Sequence, residues 1–114
     1  MSQLADDVYE NLKKIYPFDY IIKEHYVFYN NTRLFFDFYI RTLNILIECQ
    51  GEQHFKYNSH FHSDIKSFYA QKRRDNLKVE YCTFSNTPLV FFYDKRDTIT
   101  PDLILKRIYE ALNE

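Results

Sequence analysis

The chain has no tryptophan, one glycine, three prolines and two cysteines among its 114 residues. So little glycine and proline excludes collagen-like and low-complexity chains. Cys49 and Cys82 are too few for a disulfide framework and lack Cys-x2-Cys metal spacing, which suits a reducing compartment. No apolar run reaches the roughly 18 residues of a membrane span. The stretch Met1 to Tyr16 is charged and amphipathic, unlike a signal peptide. Charge of one sign is missing too: 15 Lys and Arg against 16 Asp and Glu leave a net charge of −1, so nucleic-acid binding needs a local basic patch. What the chain has in quantity is aromatic surface, with 11 Phe and 11 Tyr in a composition 46% hydrophobic. That supports a packed core, and residues 1–114 are expected to form a single soluble intracellular domain with no membrane contact.

Leu4, Val8, Leu12 and Ile15 recur at helical spacing after Ser2, a suitable N-cap, and Pro17 stops the pattern. Ile21 to Tyr29 and Leu34 to Ile40 read as two strands of a hairpin about Asn30-Asn31. After the polar link Arg41 to Asn44, Ile45 to Gln50 reads as a third strand. Gly51, the single glycine, follows at a position expected to need positive φ or close backbone approach. Glu52 to His62 is a His- and aromatic-rich loop. Ser63 is the expected cap of a long helix ending near Tyr81, with Ile65, Tyr69 and Leu77 as its inward stripe and Phe68 and Val79 beside it. Leu89 to Tyr93 is a fourth strand. Thr100-Pro101 opens a last helix whose Leu103, Ile104, Ile108, Ala111 and Leu112 face inward. The expected order is α-β-β-β-α-β with a C-terminal helix, an α/β (α+β) chain with a mixed four-stranded sheet flanked by helices.

Two acids stand in these apolar strands. Asp37 interrupts Leu34–Ile40, and Glu48 shares a strand face with Gln50 while Ile47 and Cys49 take the other. A carboxylate there costs several kcal/mol to desolvate unless a cation meets it. No lysine or arginine lies nearby in sequence. A divalent metal held by Asp37, Glu48 and the backbone carbonyl of Cys49 answers the need. Pairing with distant basic residues for structural reasons answers it equally.

The Asp on one strand followed by Glu-x-Gln on the next resembles the PD-(D/E)xK nuclease superfamily. Phe36-Asp-Phe-Tyr-Ile40, Ile47-Glu-Cys-Gln-Gly-Glu-Gln-His-Phe55, the loop Asn58-Ser-His-Phe-His62, Gln71-Lys-Arg-Arg-Asp75 and Tyr81-Cys82 look like its small phage and homing-endonuclease branch, related to very-short-patch-repair endonucleases. The likeness spans about residues 4 to 94. It implies a restriction-endonuclease-like core and a metal-dependent DNA endonuclease or nickase using Mg2+ or Mn2+. Asp37 and Glu48 match the metal-binding acids. Gln50 stands where most members carry lysine and implies a water-positioning role without charge. His54 matches the branch's histidine, Asp75 the acid that orients it, and Glu10 is favoured over Asp6 and Asp7 as the first-helix acid. The implied compartment is the cytoplasm, that of the host cell for a phage- or virus-borne gene.

Spacing adds an independent argument: Gln71, Asp75 and Lys78 share one helix face, close enough to the packed side for Asp75 to reach His54 and raise its basicity. Pairing of Asp75 with Arg74 or Lys78 in solvent, worth under about 1 kcal/mol, is the alternative. His54, His60 and His62 with Cys82 or Glu52 form a weak zinc candidate. His60 and His62 otherwise suit phosphate contact, and His25 reads as structural. Lys66, Lys72, Arg73, Arg74 and Lys78 are the candidate phosphate track, or an ordinary solvated helix face. Tyr57, Phe55 and Phe61 read as loop core or as base-stacking groups. The second functional reading is a catalytically weak or inactive nuclease-fold module that binds DNA or a protein partner. In either reading a lone domain is expected to dimerise, to act on a DNA structure and not a sequence, or to take its specificity from a protein partner.

Overall fold

The computed structural model describes residues 1–51 and 64–114. Helix α1 (Gln3–Ile15) leads into strands β1 (Ile21–Tyr29), β2 (Thr32–Ile40) and β3 (Ile45–Gln50). Helix α2 (Ile65–Phe84), strand β4 (Leu89–Tyr93) and helix α3 (Pro101–Leu112) complete the order. The strands form one sheet in the order β1-β2-β3-β4, with β1–β2 and β2–β3 antiparallel and β3–β4 parallel. This is the restriction-endonuclease-like topology expected from the sequence.

Local chemistry sets the boundaries. Ser2 Oγ accepts the Ala5 N–H and Thr100 Oγ1 that of Leu103, so α1 and α3 start at their predicted caps. Asn30 and Asn31 both adopt left-handed backbone, the geometry of a two-residue hairpin turn. Helix α2 is capped by the Asp64 side chain on Ser67 N–H, and the predicted cap Ser63 lies outside the described residues. Gly51 does not have positive φ. The left-handed positions are held by Glu24, Asn30, Asn31, Asn44, Asn86 and Lys95, mostly asparagines whose short side chains tolerate that region.

Two apolar clusters flank the sheet. Leu4, Val8 and Leu12 of α1 and Ile104 and Ile108 of α3 pack with Phe38, Ile40, Ile45, Ile47, Val90 and Phe92. On the other face, Leu77 and Cys82 of α2 pack with Leu34, Phe36 and Leu46. Leu112, expected inside, is 44% exposed at the end of α3. The β1–β2 hairpin contributes to both clusters by reversing its faces. Phe38 and Ile40 belong to the α1/α3 side, yet Leu34 and Phe36, of the same parity, belong to the α2 side. In β1, Ile21 packs with the first cluster while Val27 and Tyr29 pack with the second. Strict alternation would keep each set on one face. The reversal falls where Glu24 and Asp37 stand opposite each other, between the pairs Lys23↔Phe38 and His25↔Phe36, and Glu24 has φ 50°.

A left-handed non-glycine residue costs about 1–2 kcal/mol, whereas glycine inside a strand ordinarily costs about 0.5–1 kcal/mol. Glu24→Gly is therefore expected to melt at or above the parent temperature, and Lys23→Gly below it. Thermal melts followed by circular dichroism check this; a clear loss in Glu24→Gly would place the reversal elsewhere.

Candidate functional site

The β2–β3 ladder runs through Ile40↔Ile45, Tyr39↔Leu46 and Phe38↔Ile47. At the next rung, side chains replace the backbone partners. The Asp37 N–H donates to Glu48 Oε1 at 3.0 Å, and the Cys49 N–H donates to Asp37 Oδ2 at 2.8 Å. Each carboxylate thus reaches across to the other's strand, which brings both to one point in the sheet.

Glu48 lies on the face that α2 covers and is 3% exposed. Its Oε2 accepts from Lys78 Nζ at 2.9 Å, and the Lys78 side chain is itself only 15% exposed. Burial pushes the Glu48 carboxyl up to about 7, and the Asp37 charge adds to the rise. The Lys78 ammonium and the Asp37 N–H pull the other way. The buried Glu48 thus has the basic partner that its own neighbourhood in sequence lacks. That partner comes from 30 residues further along the chain.

Helix α2 turns Lys78 to the sheet, on the same helix face as Gln71 and Asp75. Gln71, Asp75 and Lys78 are half-buried, whereas Ile65, Tyr69 and Val79, expected inside or beside the packed face, are 48%, 63% and 47% exposed. The sheet beneath this helix carries Glu48 and Gln50, so the covering face is polar, and apolar packing resumes at Leu77 and Cys82.

The other candidates are dispersed. Arg73 and Arg74 are exposed with Lys66, and Lys72 is half-buried. Lys78 leaves this basic track for Glu48. Gln50 is half-buried at the end of β3, beside Tyr93 of β4. Glu10 is exposed on α1 and pairs with Lys13 at 3.2 Å, while Asp7 accepts from Gln3 at 2.8 Å. His54, His60, His62 and Glu52 lie outside the described residues. Cys82, the zinc candidate, is buried against Leu34 and Phe36, and burial pushes its thiol up to about 12. His25 stacks on Tyr39 with ring centres 4.5 Å apart, in keeping with a structural role, and partial burial lowers its pKa.

Two further features escaped the sequence reading. Lys78 was placed with the surface cations although its spacing with Gln71 and Asp75 already put it on the sheet-facing side. Arg107 of α3 clamps the end of β4, donating to both Asp97 carboxylate oxygens at 2.6 and 2.7 Å and to the Phe91 carbonyl at 2.9 Å. Asp97 also accepts the Tyr93 N–H, and these bonds hold its carboxyl below the usual range.

Among the described residues, no three His, Cys, Asp or Glu side chains gather into a metal cluster. Mg2+ is commonly held by one or two carboxylates with waters and phosphate oxygens completing its shell. Asp37 and Glu48, cross-bonded at one rung beside the Cys49 backbone, fit such a hard cation by the chemistry of the donors.

No protein-family model matches the chain, and no solved structure does. Uncharacterized protein 307L of Invertebrate iridescent virus 6 is 37% identical over 60 residues, 53% of this chain and 30% of that protein. The match therefore covers less than a third of the relative's length. No described helix is long and apolar enough to cross a membrane.

A buried acid whose pKa is raised binds its proton more tightly folded than unfolded. Glu48's contribution to stability is then fullest below the ordinary carboxylate pKa of 4.5 and is lost as pH rises through about 7. A shift of that size corresponds to about 3 kcal/mol. In chelator, the stability of Glu48→Gln relative to the parent should rise between pH 5 and pH 8. Denaturant unfolding at several pH values measures this, and a flat difference would show Glu48 ionised across the range.

Proposed function

We propose that this chain is a nuclease-fold module that binds DNA and holds its acidic pair charge-compensated from within. The observation that carries the reading is the Lys78–Glu48 contact at 2.9 Å, which together with the Asp37 N–H gives each Glu48 oxygen a donor from the chain itself. DNA is the favoured ligand because Lys66, Arg73 and Arg74 expose a basic strip on α2, and a chain of near-neutral net charge needs such a local patch to meet phosphates. A second copy or a protein partner supplies specificity in this reading.

The cross-bonded Asp37 and Glu48 favour a second reading, a metal-dependent DNA endonuclease or nickase. In that reading Asp37, Glu48 and the Cys49 carbonyl would hold Mg2+ or Mn2+, which would supply a more acidic water and offset charge on a phosphate. Gln50 would position the water, His54 with Asp75 would act as base, and Lys72, Arg73, Arg74, His60 and His62 would hold the backbone phosphates.

Duplex DNA binding by fluorescence anisotropy in chelator, and nicking of supercoiled plasmid in Mg2+ or Mn2+, test the two together. Binding should weaken with salt. Arg73→Ala and Arg74→Ala should each reduce the salt slope by about 1 without changing sequence preference. Nicking abolished by Asp37→Ala would decide for the second reading. Absence of DNA binding at low salt would overturn both.

A further inference from the structure

We infer that the outer edge of β4 is a docking site for an extended peptide of a protein partner, which adds to the sheet parallel to β4 and enters with its basic end at Glu114. The site lies on the side of β4 opposite β3 and does not depend on the DNA reading.

β4 is the last strand of the sheet, so one of its edges has no strand beside it among the described residues. The parallel ladder fixes which groups face that edge. Leu46 N–H donates to the Pro88 carbonyl and Asp94 N–H to the Gln50 carbonyl. Val90 and Phe92 therefore turn their backbone groups to β3, and Leu89, Phe91 and Tyr93 turn theirs outward. Part of that outward row is already held. Asp97 accepts the Tyr93 N–H at 2.7 Å and donates its own N–H to the Tyr93 carbonyl at 3.1 Å, while Arg107 holds the Phe91 carbonyl at 2.9 Å. The Leu89 N–H, the Leu89 carbonyl and the Phe91 N–H meet no partner among the described residues. They border an open groove of about 530 Å3 between α2 and α3, with Val79, Thr83 and Leu112 in its walls.

Those three groups set the direction of an incoming strand. Added parallel, one partner residue accepts from the Leu89 N–H, and the residue two further on donates to the Leu89 carbonyl and accepts from the Phe91 N–H. All three groups are met and the Phe91 carbonyl is not needed. Added antiparallel, the residue that accepts from the Phe91 N–H presses its own N–H on the carbonyl that Arg107 already holds. Two copies joined at this edge about a two-fold axis would run antiparallel, so the pattern disfavours a second copy. Charge places the partner's basic end. Glu114 borders the groove at Pro88 and Leu89, and Lys106 borders the surface at Tyr93 and Leu103. A peptide entering at Leu89 therefore meets an acid first and a cation last. That selects basic residues before an alternating apolar stretch and acidic residues after it. The partner residue beside Leu89 shares its face and enters the groove at Val79.

Two labelled peptides, Lys-Lys-Thr-Val-Thr-Val-Asp-Asp and the same residues in reverse order, test the site by fluorescence anisotropy on the full chain without DNA or metal. Circular dichroism confirms the fold of each variant. The first peptide should bind with a dissociation constant below about 1 mM, and the reversed one at least about fivefold more weakly. Val79→Asp sets a charge in the groove wall at a position already 47% exposed, and it should weaken the first peptide by about tenfold or more. Glu114→Lys should weaken it by about threefold and flatten its salt dependence. Amide exchange followed by NMR should show Leu89 and Phe91 newly protected by the peptide, with Val90 and Phe92 unchanged. No binding at that concentration, equal binding of the reversed peptide, or protection at another edge would overturn the inference. So would a parent dimer that Val79→Asp dissociates, because a second copy would then occupy this edge. A chain that binds the first peptide but no DNA overturns the proposed function and supports this site.

Discussion

A carboxylate buried in a sheet has to be met by hydrogen-bond donors, and the demand of Glu48 organises the middle of this molecule. It is the charged side chain that the described residues bury, at 3% exposure. An unpaired charge there would cost several kcal/mol. The Asp37 N–H and the Lys78 ammonium meet it from two different elements. Supplying the first requires β2 to part from β3 one rung beyond Phe38↔Ile47. Supplying the second requires α2 to turn Lys78 towards the sheet.

The same rung explains how a small domain keeps two cores. Beyond Asp37 the hairpin changes sides, so Leu34 and Phe36 serve α2 while Phe38 and Ile40 serve α1 and α3. The polar pair stands at the joint between the clusters. That joint is paid for by the left-handed Glu24 opposite Asp37. On the far side, Arg107 pins the Asp97 turn and the Phe91 carbonyl, so β4 is fixed at the end where it runs beside Gln50.

Much of this was legible in the chain. Ile21–Tyr29, Ile45–Gln50 and Leu89–Tyr93 agree with the strands read from aromatic and β-branched runs, and Ser2 and Thr100 cap as their side chains predict. Local chemistry decides those elements, and local chemistry is what a sequence displays. Along α2, apolar periodicity points Ile65, Tyr69 and Leu77 inward, yet only Leu77 is buried and Ile65 and Tyr69 stand outside. The inward side of Lys78 is legible in its spacing with Gln71 and Asp75, but its partner is not: a contact spanning 30 residues depends on how the helix crosses the sheet. The reversal at Glu24 was hidden because Leu34, Phe36, Phe38 and Ile40 have the unbroken alternation of a single strand face.

The distribution of cations follows from these constraints. Lys78 and Arg107 are drawn inward to satisfy Glu48 and Asp97, so neither adds to the field at the surface. What remains on α2 is the exposed set Lys66, Arg73 and Arg74, borne by the helix that turns Lys78 to the sheet. β3 and β4 run parallel and end together at Gln50↔Tyr93, and in open α/β sheets ligands approach from the carboxyl ends of parallel strands. Glu48 lies two residues before that edge, and Lys78 offsets its charge there from within the fold. A near-neutral chain can then keep two carboxylates at one point of its sheet, because compensation at Glu48 is local and does not depend on net charge.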